Sequence, residues 1–217
     1  MSYSLNTTIL NPISKKNPKN AVILCHGYGG DGKDISLLAN YWKNYLPDTI
    51  FICPDAPEKC AVSNSGFQWF DLVDQNSEQI LTKSLVAENK LNKLIDEVKE
   101  KNTLSSNQII IGGFSQGCML SLQTGIKRKD KIKGIIGYSG RIIDTDHLGK
   151  NINSRPDIVL MHGDIDQIVP VSSLLEAKDF FNKNSYQIET KIFKNCEHRI
   201  PTEGSSLGLE FIKKNLY

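Results

Sequence analysis

The chain reads as an α/β protein with a mostly parallel central sheet and helices on both faces, and three observations predict this. Short apolar runs recur at residues 21–25, 49–53, 109–111, 132–138 and 158–161. Those at 21–25, 109–111 and 158–161 are apolar throughout rather than alternating, which is the pattern of strands covered on both sides. Between them lie helical spacings such as Leu91, Leu94, Ile95 and Val98, and strands alternating with helices imply parallel pairing. Loops rich in Gly, His and Asp leave these strands at one end, the carboxyl end where such sheets bind ligands.

Residues 5–10 alternate loosely and fit an antiparallel edge strand, followed by a Pro/Lys/Asn turn to residue 20. The strand at 21–25 runs into His26-Gly27-Tyr28-Gly29-Gly30-Asp31-Gly32, then a helix carrying Leu37, Leu38, Tyr41, Trp42 and Tyr45. The strand at 49–53 leads to Pro54-Asp55-Ala56-Pro57 and a segment without a clear period, 54–76, that holds Phe67, Trp69, Phe70, Leu72 and Val73. Aperiodic stretches of that length inside a folded domain tend to be flaps or binding loops. A long amphipathic helix is expected over 77–101, a strand and helix around 109–127, and a strand at 132–138 with a polar connection to 157. The strand at 158–161 ends in His162-Gly163-Asp164-Ile165-Asp166, and a helix at 172–182, a strand at 187–193 and a helix at 203–214 complete the chain.

A chain of 217 residues is long enough for one sizeable core, so 1–217 is expected to form a single domain. A net charge of +2 gives no general pull toward nucleic acid or an anionic membrane. The basic cluster Lys127-Arg128-Lys129 falls where a helix should end, and there it complements the helix dipole. Five cysteines, an odd number with no C-x-x-C pair, read as reduced thiols with no zinc site. The first residues lack a basic and apolar leader pattern, and no run nears the ~18 apolar residues of a membrane span. A cytoplasmic protein is therefore expected.

The chemistry concentrates at Gly113-Phe114-Ser115-Gln116-Gly117, placed between a strand and a helix. G-x-S-x-G in that setting is a nucleophile elbow, a tight turn that holds a serine hydroxyl clear of the sheet edge. A serine needs a base, and a neutral histidine serves near pH 7. Of the four histidines, His198 fits best, because it follows the strand ending at 193 and precedes the last helix. His162 abuts a strand end and is expected to be structural. The acid must hold the imidazole's tautomer from the end of the preceding strand. Asp166 is preferred for this over Asp164, which is expected to close the turn by side-chain to backbone bonding.

The attacked carbonyl becomes an oxyanion, which requires two backbone N–H groups, one after the nucleophile at Gln116 and one from the His26–Gly32 loop at Tyr28. That loop also matches G-x-G-x-x-G, with Asp55 where a ribose-binding acid would stand. An NAD-dependent oxidoreductase is thus an alternative, though it leaves the elbow, Asp166 and His198 unused. A hydrolase-like binding protein without turnover is the other.

These ordered motifs resemble the phospholipase/carboxylesterase family that includes the acyl-protein thioesterases, over almost the full length of the chain. The resemblance is carried by His26-Gly27-Tyr28-Gly29, Pro54-Asp55-Ala56-Pro57, Trp69-Phe70-Asp71, the elbow, and His162 to Asp166 continuing to Val169-Pro170. It implies a compact α/β-hydrolase fold without a large lid domain, no cofactor or metal, and hydrolysis of carboxylic esters or thioesters. It further implies a Ser115, Asp166, His198 triad, with Tyr28 and Gln116 as oxyanion donors. Substrates would be acyl esters or thioesters, lysophospholipids and S-acylated proteins among them. Trp69 and Phe70 are expected to line an acyl groove, and exposed aromatics on the 54–76 flap would support a homodimer. The chain departs from its relatives at Arg199-Ile200-Pro201, where they generally carry smaller residues, and over residues 59–68.

Overall fold

A computed structural model of the protein describes residues 2–60, 62, 63, 65–73 and 77–217. In chain order its elements begin β1 (Thr7–Leu10), β2 (Asn20–Cys25), α1 (Gly32–Trp42), β3 (Thr49–Pro54), β4 (Glu58–Lys59), β5 (Phe67–Gln68) and α2 (Ser77–Asn102). They continue as β6 (Ile109–Phe114), α3 (Gln116–Lys127), β7 (Gly134–Tyr138) and α4 (Thr145–Lys150). The last are β8 (Asp157–Gly163), α5 (Ser172–Lys183), β9 (Glu189–Phe193) and α6 (Thr202–Leu216).

Seven strands form one sheet in the order β1-β3-β2-β6-β7-β8-β9. β1 lies antiparallel at the edge, and every other neighbouring pair is parallel. The chain is therefore the α/β protein that the apolar runs predict. Side chains alternate across each strand, so the continuous runs feed two cores. Ala21, Ile23, Ile109, Ile111, Ile135 and Leu160 face α2, α3 and α5, while Val22, Leu24, Phe51, Ile110, Ile136 and Val159 face α1 and α6. α3 is buried almost all round because it is sandwiched between the sheet and α2. No helix among the described residues is long and apolar enough to cross a membrane.

Two features escape the sequence patterns. The polar connection before β8 contains α4, a six-residue helix capped by Asp144, whose carboxylate accepts from His147 N–H at 2.7 Å. Only Leu148 is buried there, too few apolar residues to make a period. The 54–76 segment contains the β4–β5 hairpin, and its positions 61, 64 and 74–76 lie outside the described residues. The hairpin docks on the loop after β2 through Gly29 N–H to Phe67 C=O and Phe67 N–H to Gly30 C=O, both 2.9 Å. It is thus pinned by backbone bonds rather than hanging over the sheet.

The parallel register aligns the strand ends that matter. Cys25 pairs with Gly113, Phe114 with Tyr138, and Gly163 with Phe193. The loops that follow β2, β6, β8 and β9 consequently leave the sheet along a single edge.

Candidate active site

Ser115 sits between β6 and α3 at φ 54° and ψ −115°, a backbone conformation that a residue with a Cβ adopts at a cost of about 1–3 kcal/mol. The flanking glycines make this turn sterically feasible. A Cβ on Gly113 would lie 2.5 Å from Cys25 carbonyl oxygen, and one on Gly117 would lie 2.2 Å from that same atom. Hence the elbow can press against β2 only with glycine on both sides of the serine. Phe114 packs its ring against that of His198, with centroids 4.7 Å apart.

His198, on the loop after β9, lies between the serine and Asp166. Ser115 Oγ is 3.0 Å from His198 Nε2, and His198 Nδ1 is 2.7 Å from Asp166 Oδ2. An ionised carboxylate only accepts, so Nδ1–H donates to Asp166 and leaves Nε2 free to accept from the serine hydroxyl. Burial by itself would raise the Asp166 carboxyl. The His198 bond and the N–H groups of Val169 and Ile168 outweigh it and hold the group below the usual carboxylate range. Asp166 is therefore engaged through both oxygens, since Oδ1 accepts from Ile168 and Val169 N–H at 3.0 and 2.9 Å while Oδ2 faces the imidazole. Asp164 bonds to backbone as well, but across to the β9 loop at Cys196 N–H rather than within its own turn.

His162 is fully buried, and its Nε2 lies 2.8 Å from Val169 carbonyl oxygen and 3.4 Å from Asp166 Oδ2. It braces the loop that carries Asp166, a contact that periodicity does not reveal. Burial holds both His162 and His26 below the ordinary imidazole value of 6.5, despite carbonyl contacts that favour the charged form. The unfolded chain then binds protons first as pH falls. Stability should be full above about pH 6.5 and decline below it. A urea midpoint that does not move between about pH 7.5 and 5.5 would contradict this.

Of the expected oxyanion donors, Gln116 follows the serine in the chain, and Tyr28 follows Gly27, on which a Cβ would stand 3.3 Å from Ser115 Cβ. Gln116 is the first residue of α3, so its N–H has no partner within the helix. In the loop after β2, Gly29 N–H is taken by Phe67 and Gly30 N–H by Gly27 carbonyl, which leaves Tyr28 N–H unengaged among the described residues. Burial and the neighbouring Cys60 thiol push the Tyr28 phenol up to about 12, so this side chain stays neutral beside the hairpin.

The Gln116 side chain makes contacts that the sequence did not disclose. Its side-chain Oε1 accepts from Trp69 N–H at 2.8 Å and its Nε2 donates to Phe70 carbonyl at 2.7 Å. Trp69 Nε1–H in turn donates to His26 carbonyl at 3.0 Å. Trp69 and Phe70 are 1% and 0% exposed and belong to the core, so the expectation that they line an acyl groove is corrected. Their large apolar surfaces are worth more buried than exposed, and their backbones are satisfied by Gln116. The homodimer that exposed flap aromatics would support loses these two rings as its surface. Gln116→Ala should leave Trp69 N–H and Phe70 C=O buried and unpaired at about 1–3 kcal/mol each, and lower the urea midpoint accordingly. An unchanged midpoint would mean that the hairpin is held without this amide.

A cleft of about 390 Å³ opens beside His198, lined also by Gly27, Tyr28, Ile35, Phe114 and Ile200, with Asp34 and Arg199 on its wall. It shares Asp34, Ile35 and Ile200 with a second groove of about 380 Å³ that reaches Leu37, Leu38, Tyr41 and Pro201. Asp55, the acid a dinucleotide would need, is already engaged. Its Oδ1 accepts from Gly32 N–H at 2.8 Å and its Oδ2 meets Asn6 Nδ2, so it anchors the start of α1. The five cysteines are free and buried, and burial pushes the thiols of Cys25 and Cys118 up to about 12.

Residues 7–216 match the family model described as phospholipase/carboxylesterase. The chain is 34% identical over 214 residues to acyl-protein thioesterase 1 of Saccharomyces cerevisiae, covering 91% of this chain and 93% of that protein. It is 30% identical to acyl-protein thioesterase 1 homolog 1 of Dictyostelium discoideum, with 90% of each covered. The crystal structure of esterase PE8 superposes with a TM-score of 0.93 at 31% identity, covering 98% of this chain and 99% of that one. Zea mays acyl-protein thioesterase 2 shares the fold at a TM-score of 0.79 and 20% identity, covering 98% of this chain and 99% of that one.

Proposed function

The chain belongs to the phospholipase/carboxylesterase family and is an ester or thioester hydrolase, and we propose that it turns over through an acyl-enzyme on Ser115. His198 Nε2 takes the hydroxyl proton as Oγ attacks the acyl carbonyl. The carbonyl oxygen becomes negative and is met by the N–H groups of Tyr28 and Gln116. Asp166 stabilises the imidazolium, which then protonates the departing alkoxide or thiolate. Water, activated by the same imidazole, releases the carboxylic acid and restores the serine.

The observation that carries this reading is the continuous bonding from Asp166 through His198 to Ser115, at 2.7 and 3.0 Å, beside two unengaged backbone donors. Residues 1–217 act in it as one hydrolase domain. Its substrates are acyl esters or thioesters, with S-acylated proteins first among them, in keeping with the relatives named acyl-protein thioesterases. Nε2 must reach the leaving heteroatom, so the leaving group lies on the His198 side, in the cleft that runs past Ile35 and Ile200 toward Leu37 and Tyr41.

A fluorophosphonate probe should label the protein once, with the adduct mapped to Ser115 by mass spectrometry. p-Nitrophenyl acyl esters should be turned over with a rate that depends on chain length. A full-stoichiometry adduct at another residue, or no acyl-enzyme burst with any ester, would sink the reading.

A further inference from the structure

We infer that His26 is a positioning residue for the oxyanion hole. Its ring clamps the Gly27 carbonyl and so aims the Tyr28 N–H, which belongs to the same peptide unit, at the oxygen bound beside Ser115. The inference rests on the mechanism proposed above. His26 Nδ1 lies 2.7 Å from Gly27 carbonyl oxygen, and that oxygen also accepts from Gly30 N–H at 3.1 Å. Ala56 N–H donates to His26 Nε2 at 2.9 Å. A nitrogen that accepts from an amide carries no proton, so the hydrogen of a neutral ring must sit on Nδ1 and point at Gly27. One hydrogen bond thus selects the tautomer and the other uses it.

The peptide unit transmits this to the site. In a trans peptide the C=O and the following N–H point in opposite directions, and there are no cis bonds among the described residues. With the Gly27 carbonyl drawn toward His26 and Gly30, the Tyr28 N–H is turned the other way. Gly27 itself lies against the nucleophile, since a Cβ built on it would stand 3.3 Å from Ser115 Cβ. The ring cannot drift, because it is 1% exposed, lies 5.7 Å from the Trp69 ring, and its own carbonyl is held by Trp69 Nε1–H. His26 touches no reacting atom in this arrangement.

Two substitutions separate the halves of the clamp. The Asn amide nitrogen can stand in for Nδ1–H, whereas the Gln amide oxygen can stand in for Nε2. His26→Asn should therefore keep kcat on p-nitrophenyl esters within about tenfold of the parent. His26→Gln and His26→Ala should lose about 10²–10³-fold in kcat, the range for one oxyanion donor, with KM moving only a few-fold. Affinity for an alkyl boronic acid, which presents a tetrahedral oxyanion, should follow kcat and not KM. His26→Gln matching the parent while His26→Asn fails, or equal losses in both, would overturn the clamp. Imidazole ¹⁵N shifts of the unsubstituted protein test it without any substitution, for a proton on Nε2 of His26 is incompatible with it. Fluorophosphonate labelling of Ser115 in the parent is measured alongside. Its absence condemns the acyl-enzyme mechanism, while its presence with the wrong Asn/Gln order condemns the clamp alone.

Discussion

Ser115→Ala should lower kcat on p-nitrophenyl esters by a factor on the order of 10⁴ or more and abolish fluorophosphonate labelling, while the fold persists. The loss is this large because, in the proposed mechanism, the hydroxyl oxygen forms the bond to the acyl carbon. What survives is binding and the oxyanion donors, which by themselves give only a small residue of catalysis over water. Ser115→Gly should be equally inactive yet more stable than the parent. The serine's backbone at φ 54° and ψ −115° costs about 1–3 kcal/mol, which glycine avoids, against about 0.5–1 kcal/mol for glycine's larger unfolded-state entropy. A net gain of about 1 kcal/mol, read as a higher urea midpoint, is expected. A less stable glycine variant would mean that the elbow stores no strain.

Asp166→Asn should cost about 10⁴-fold in kcat with the fold nearly intact. The Asn oxygen can keep the bonds from Ile168 and Val169 N–H that Asp166 Oδ1 now accepts. Its amide nitrogen, however, would face His198 Nδ1 with hydrogens, so the imidazole must turn to the tautomer with a proton on Nε2. That nitrogen then cannot accept from Ser115. Asp166→Ala should be worse for folding, since it leaves the two N–H groups without an acceptor at about 1–3 kcal/mol each. Asp164→Asn serves as the contrast, because its oxygen still reaches Cys196 N–H and the proposed mechanism makes no use of its charge. Kinetics on the two Asn variants decide the assignment, and a larger loss at Asp164 would reverse it. The depressed carboxyl of Asp166 carries a further consequence. Its stabilising contribution is complete above the ordinary carboxylate value of 3.8 and disappears as pH falls through its lower folded value. Asp166→Asn should accordingly flatten the acid limb of stability.

Much of the site was legible because its signals are local. The elbow is five consecutive residues, and His198 was the only histidine between the strand ending at 193 and the last helix. The acid was harder, because two aspartates two positions apart both follow β8. The double engagement of Asp166 with its own turn and with His198 is an outcome of loop geometry. The aromatics at 69 and 70 misled for a related reason. A large apolar residue in an aperiodic segment reads equally as groove wall or core, and the Gln116 amide that draws their backbone inward lies 47 and 46 residues away.

By itself the chain's order of residues determined the layered α/β architecture, the sheet edge at which the candidate site lies, and the serine, imidazole and carboxylate candidates. Each of these follows from short-range rules of period, turn chemistry and strand-end position. Only the tertiary structure decided which carboxylate oxygen meets His198, why Trp69 and Phe70 are buried, how His162 braces the acid loop, and how His26 holds Gly27. These are hydrogen bonds from single side chains to particular backbone groups, several of them on distant segments. Such bonds repeat at no interval, so they leave no pattern along the chain and exist only once the sheet has brought its loops together.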